Sequence, residues 1–337
     1  MLSRRAFLAT AAQAGGLMAL GGLGHAADNF AVPDPAPKAR VVLVKTNDRA
    51  TGIGQALKLF GANPVRGKTV ALKPNFNSAH RFPGSTHDTT LRTLVAQFAE
   101  MGARAITVAD RSGMGNTRAV MEEKGVFALG KTIGFETVVL NELPASRYTH
   151  HQSKDWHWQR GFDIPTLFHE AGAVVQTCCL KTHQYGGHFT LSLKNSVGMV
   201  ARDAPKSGYE YMRELHSSSY QRQMIAEINQ AYAPDLVVLD GMEAFVDGGP
   251  HDGTRKQPGV IIVGTDRVAV DAVGVAILRM HGGNRTISAG RIFEQVQIKR
   301  AVELGLGVRD PSQIDLVTGD AASAASAAQV RQALMAG

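Results

Sequence analysis

AVVQTCCLKTHQYGGHFTLSLKNSVGMV, residues 173–200, decides the fold. Its first eight residues, Ala173–Leu180, form a short apolar run interrupted only by Gln176 and Thr177. A run of this length, rich in Val and Cys and closed by a polar turn, reads as a strand buried on both faces. Lys181 to Gly187 is polar and contains Gly186-Gly187. From about His188 the spacing turns helical, with Leu191, Leu193, Val197 and Val200 as the apolar positions. A doubly buried strand that feeds a turn and then a helix is the repeating unit of a parallel α/β sheet.

The same alternation continues outward. Towards the N-terminus, Val41–Lys45, Thr69–Lys73, Ala105–Asp110 and Thr137–Leu140 read as strands. Ile53–Phe60, Thr89–Met101 and Thr117–Gly125 carry helical spacing or caps between them. Towards the C-terminus, Tyr209–Tyr232 reads as one or two helices, and Leu236–Asp240 and Val260–Val263 as strands. Val268–Met280 is an apolar helix, Ile314–Val317 a last strand, and the Ala-rich tail from Ala321 a closing helix. Residues 147–165 are less regular. With His150, His151, His157, Trp156 and Trp158 they read as a lid or as an amphipathic strand–loop edge. The class is therefore α/β, a mostly parallel sheet or sheets flanked by helices. It is built as one large domain or as two closely packed α/β lobes, at 40–146 and 147–337.

The N-terminus has another purpose. Arg4 and Arg5 precede a small-residue apolar stretch, Ala6 to Leu23, and Gly24-His25-Ala26 offers a cleavage site near Ala26 or Ala27. That is the layout of a secretory signal over residues 1–26. Ser3-Arg4-Arg5 with Phe7-Leu8 resembles a twin-arginine export signal, which implies the export machinery as a partner and a periplasmic or otherwise exported destination. Such export carries folded proteins, often with a cofactor already inserted. Gln13 and the many glycines make the stretch a weak membrane span, so no stable span is expected after cleavage. Residues 27–39, rich in Pro and Ala, read as an extended leader.

The formal charge is +7, and becomes +5 once residues 1–26, with two arginines and no acid, are removed. No run of like charges accompanies it, so a nucleic-acid role is not expected. A locally basic cleft for an anionic small molecule fits better. Cys178 and Cys179, the only cysteines, are strand neighbours that point to opposite faces and read as buried thiols. With two cysteines, no Cys-ligated iron–sulfur cluster is expected.

In open parallel sheets, ligands bind beyond the carboxyl ends of the strands. Five such ends carry chemistry: Lys73-Pro74-Asn75, Lys181-Thr182-His183, Asp110-Arg111-Ser112-Gly113, Asp240-Gly241 and Thr265-Asp266. Asp and Asn are ordinary turn formers, and only the convergence points to a shared cleft. In it Lys73, Lys181 and Lys194 would neutralise an anion, and His183 or His188 would serve as acid/base or metal ligand, with Lys194 beside them. Gly186 and Gly187 would let the backbone approach the ligand. Asn75, Asn195, Thr190 and Ser192 would hydrogen-bond it, the last two at a helix start with free N–H groups. Asp240, Asp247 or Asp266 would hold a metal or orient a histidine. The loop at 240–254 offers Asp247 and His251 to a divalent metal, or is simply a solvated active-site loop. Asp266 also suits an N-cap. Asp271, set among apolar residues, needs a partner that the cleft's lysines and arginines could supply.

VALKPNFN, CLKTHQYGGHFTLSLKNSVGMV, DLVVLDGMEAF, GGPHDG and VIIVGTDRVAVDAVG together resemble the family known as domain of unknown function 362. Order and spacing agree over nearly the whole chain after the signal. Many members carry a ferredoxin-like four-iron segment and lie near redox proteins, which implies a redox partner protein; the cysteines for that segment are absent here. A narrower resemblance, to nickel-pincer lactate racemases, rests on His183, Gly186-Gly187 and Lys194. The expectation is an exported enzyme of unknown reaction and unknown cofactor, an oxidoreductase or isomerase dependent on a metal or cofactor. The alternative is a non-catalytic periplasmic ligand-binding or cofactor-maturation protein.

Overall fold

The computed structural model describes residues 38–186 and 188–336. The signal, its cleavage region, nearly all of the leader and Gly187 lie outside the described residues. Twelve strands follow in chain order. The first six are β1 (Ala39–Lys45), β2 (Thr69–Lys73), β3 (Ala105–Asp110), β4 (Glu136–Val139), β5 (Tyr148–His151) and β6 (Phe162–Pro165). The others are β7 (Ala173–His183), β8 (His188–Thr190), β9 (Leu236–Gly248), β10 (Gly253–Lys256), β11 (Val260–Gly264) and β12 (Ile314–Val317). The main sheet runs β12-β1-β11-β9-β7-β2-β3-β4, with β8 hydrogen-bonded to β7 and β10 to β9. β5 and β6 form a separate antiparallel pair.

Along that order every neighbouring pair is parallel except those involving β11. The mostly parallel α/β class is thus observed. β7 lies at the centre and is buried at each of its eleven residues. Its faces alternate with period two. Ala173 and Val175 pack into the core shared with helices Arg49–Phe60 and Asp88–Glu100. Cys178 and Leu180 pack against helix Arg267–Met280. Both cysteines are free and buried, and burial raises both thiols, Cys179 to about 11.

Three local expectations are corrected. His188 does not begin a helix. Residues 184–186 form a turn, with Gly186 at φ +77°, and His188–Thr190 returns as a strand in register with Lys181–His183. The helix is only Ser192–Asn195, continued by a 3-10 turn at Ser196–Met199. β9 does not end at Asp240 but runs on to Gly248, so that aspartate sits inside a strand. β11 is antiparallel to both neighbours, because β9 returns to it through the short β10 hairpin instead of a crossover helix. Its carboxyl end, and Asp266 after it, therefore points away from the ends of β2, β3 and β7.

Candidate ligand-binding cavity

The carboxyl ends of β2, β3 and β7 and the turn after β8 enclose a cavity of about 450 Å3. Lys73, Asn75, Lys181, His183, Thr190, Lys194 and Asn195, all singled out in the sequence, line it. It contains six lysines and arginines against three carboxylates, Asp110, Asp203 and Glu210.

Most of the inner cations are already committed. Lys73, 1% exposed, places Nζ 2.6 Å from Asp110 Oδ1 and donates to Pro74 O at 2.6 Å and Asn195 Oδ1 at 3.1 Å. Burial lowers Lys73 and raises Asp110, each opposed by the partner's charge. Asp110 stays useful by accepting the Phe76 and Arg111 N–H groups at 2.6 and 2.8 Å. Gly198 lies so close that a Cβ would stand 2.6 Å from Asp110 Oδ1 and 2.8 Å from Lys73 Nζ. The Arg111 guanidinium donates to the carbonyls of Val200, Ser112 and Val197 at 2.8, 3.1 and 2.6 Å. Burial lowers it to about 10. Lys181, wholly buried, donates to Gly84 O at 2.6 Å and Pro250 O at 2.9 Å, and burial brings it down to about 8.

Lys194 differs. Among the described residues no hydrogen bond or ion pair reaches its Nζ. Burial, reinforced by Lys181 and Arg111, lowers it to about 7. Asn75 Oδ1 and Thr190 Oγ1, both in the wall, are buried without a partner among the described residues. The Asn75 amide has little freedom to turn. Its Nδ2 faces Asn195 Oδ1 at 3.3 Å, and that oxygen is itself fixed as an acceptor by Lys73.

Two histidines on the cavity carry opposite tautomers. His183 Nδ1 accepts the Tyr185 N–H at 3.2 Å, so Nε2 holds the proton and donates. Burial, then Lys194 and Lys181, keep this ring well below the usual histidine range. His216 Nδ1 instead faces Met212 O at 2.6 Å and must donate, which leaves the Nε2 lone pair free. Burial lowers His216 as well.

The turn bearing Lys194 and Asn195 is held from behind. Asp271, fully buried on helix Arg267–Met280, accepts the Ser192 N–H at 2.7 Å and the Leu193 N–H at 3.0 Å. Its expected cationic partner is thus replaced by two backbone donors. Burial outweighs them and lifts its carboxyl to about 7. Ser192 Oγ donates to Gln176 at 2.8 Å, and Asn229 Nδ2 donates to Leu193 O at 3.0 Å. The N–H groups expected to meet an anion at this helix start are consequently occupied, and Ser192 belongs to the support.

The remaining candidates lie apart from the cavity lining. Asp240 accepts from Arg49 Nε at 2.8 Å and Thr90 Oγ1 at 2.5 Å. Asp266 caps helix Arg267–Met280 through Ala269 N and also accepts Val308 N. His188 is half-buried with φ 55° and is not in the lining. At Gly186 a Cβ would run into the Gln221 side chain, and the Gly186 carbonyl accepts from Arg222. Asp247 accepts from Asn284 at 3.0 Å, and the His251 ring lies 4.9 Å from that of His80. Neither enters a group of three or more metal-ligating side chains among the described residues. In the sequence His216 could face the cleft but, as one histidine on an amphipathic helix, reads more readily as surface or core; the structure places it in the lining. Sequence reasoning missed the charged segment with Arg202, Asp203, Glu210 and Arg213 on the outer wall. An i, i+4 histidine-to-carbonyl bond leaves no sequence signal. Asp110 and Arg111 were visible as a strand end.

Against known proteins, the family model described as Domain of unknown function (DUF362) matches residues 70–276. A thylakoid-associated protein of Synechocystis sp. is 26% identical over 216 residues, covering 64% of each chain. The lactate racemase apoprotein of Thermoanaerobacterium thermosaccharolyticum superposes with a TM-score of 0.46 at 15% identity, over 74% of this chain and 60% of its own. The chain thus spans less than two thirds of the length of either. Among the described residues no helix is long and apolar enough to cross a membrane.

Proposed function

The chain belongs to the DUF362 family, a domain of unknown function, and on that premise we propose that it binds an anionic small molecule or cofactor at the strand ends. The observation that carries this reading is Lys194. Lys73, Arg111 and Lys181 are consumed by internal contacts, whereas the Lys194 ammonium enters a basic cavity with no partner among the described residues. A half-buried cation facing other cations with no counter-charge is costly, and an anionic ligand removes that cost. The orphaned oxygens of Asn75 and Thr190 support a polar ligand. The donor-rich, cationic lining does not fit a metal ion.

The same cavity supports acid/base chemistry on the ligand. His183 Nε2–H is a donor, and the His216 Nε2 lone pair and neutral Lys194 are acceptors for a proton near neutral pH. The twin-arginine stretch supports export of the chain; a reporter fused to residues 1–26 and tested with Arg4→Lys/Arg5→Lys checks that separately.

Binding is tested by titrating inorganic phosphate into wild type and Lys194→Gln, followed by calorimetry and thermal unfolding. Phosphate is expected to bind and stabilise wild type, and Lys194→Gln to abolish the effect. Equal responses from both would refute the assignment. An absorbance spectrum and mass spectrum of protein from its native host identify a retained anion directly.

A further inference from the structure

Away from the cavity, His151 on β5 and His169 on helix Leu167–Glu170 bring their Nε2 atoms to 3.1 Å. We propose that this pair is a binding site for a borderline transition-metal dication, of the Cu2+, Ni2+ or Zn2+ class.

The geometry is nearly that of two ligands on one ion. Metal–imidazole bonds of about 2.0–2.1 Å at a tetrahedral angle place two nitrogens about 3.3 Å apart. The rings need to open by only a few tenths of an ångström. In the metal-free pair, one Nε2 must carry a proton and donate while the other accepts. A metal ion replaces that shared proton and uses both lone pairs at once.

The His151 ring is held in place, and His169 is held by its backbone. His151 pairs in register with Phe162, and its ring stacks on that of Phe162 at 6.0 Å and 25°. The short helix carrying His169 is fixed where its backbone N–H donates to Thr166 O at 2.9 Å. His150, the residue before His151, points to the other face and meets Asp163 at 3.3 Å. That carboxylate is therefore not a third ligand. Among the described residues no set of three or more metal-ligating side chains converges, so water completes the coordination. His169 is exposed and His151 half-buried, which leaves room for it. Two imidazoles favour Cu2+, Ni2+ and Zn2+ over Mg2+ or Ca2+.

The chain contains its own reporter. Its two tryptophans, Trp156 and Trp158, both pack on Phe162, with ring centroids at 5.0 and 5.2 Å. Cu2+ at the pair should quench their emission. Full-length protein is titrated with Cu2+ by fluorescence and with Zn2+ by calorimetry, alongside His169→Asn, His151→Gln and His281→Asn. The expected result is one equivalent bound, with affinity lowered by at least about 10-fold in each of the first two variants and unchanged in His281→Asn. Circular dichroism confirms that the variants are folded. Should His151→Gln be misfolded, the exposed His169→Asn decides alone. Absence of binding in wild type, or equal binding in wild type and His169→Asn, would overturn the proposal. The phosphate test is independent of this pair, so either result can fail without the other.

Discussion

Replacing Asp271 by Asn tests how the cavity is held. The carboxyl group turns one oxygen to each of two backbone donors, Ser192 and Leu193, and when it is protonated its hydroxyl oxygen keeps a lone pair for the second. Asn supplies one acceptor and turns its NH2 towards the other N–H, leaving a buried donor unpaired at about 1–3 kcal/mol. Charge works in the opposite direction. Burial lifts Asp271 from 3.8 to about 7. A raised folded-state value means that the group's contribution is fully present below the unfolded value and is lost as pH rises through the folded one. At 1.36 kcal/mol per unit the wild type forfeits about 4 kcal/mol across that window, relative to a residue that cannot ionise. Asp271→Asn is therefore expected to destabilise clearly near pH 4, and to lose that deficit or reverse it at pH 8. Urea unfolding of both proteins at the two pH values, read by tryptophan fluorescence, measures the difference, and titrations common to both cancel. A deficit that is constant or grows with pH would refute the reasoning. Phosphate binding should weaken at both pH values, because the same N–H pair positions Lys194.

Sulfate, whose charge is constant across this range, should bind the wild type more tightly as pH falls through about 7, where Lys194 gains its charge, and calorimetric titration should find Lys194→Gln flat. Lys73→Met leaves Asp110 buried beside the vacated place and should cost about 3–5 kcal/mol in denaturant unfolding. Gly198→Ala drives a Cβ against the same ion pair and should cost about 1–3 kcal/mol, with weaker phosphate binding. His216→Phe should preserve phosphate binding while removing any turnover found for the native ligand, since it deletes the free Nε2 lone pair and not a cation.

The sheet was legible because its strands are short apolar runs with an unambiguous period. Ala173–Leu180 is central and doubly buried, as its composition requires. Strand direction was not legible. The antiparallel β11 depends on the brief β10 hairpin, and a short apolar run looks the same in either sense. That hidden reversal is why Asp266 could be read onto the wrong edge. Lys73, Lys181, His183 and Lys194 stood out because charged residues beside buried strands need a reason. The same logic misled at Asp240, whose reason is Arg49, 191 residues away. The partnership of Asp271 with two backbone N–H groups was equally invisible, since backbone donors carry no residue identity.

Lys181 has a bearing on when the cavity can exist. Its ammonium joins Gly84 O and Pro250 O, 97 and 69 residues away along the chain. The end of β7 is thereby tied to one loop made long before it and one made long after. No fragment shorter than residues 84–250 holds all three, so this corner of the cavity cannot form before residue 250 is made. The cavity should therefore close late in folding, once residues near 250 take their place, as expected of contacts between distant parts of the chain.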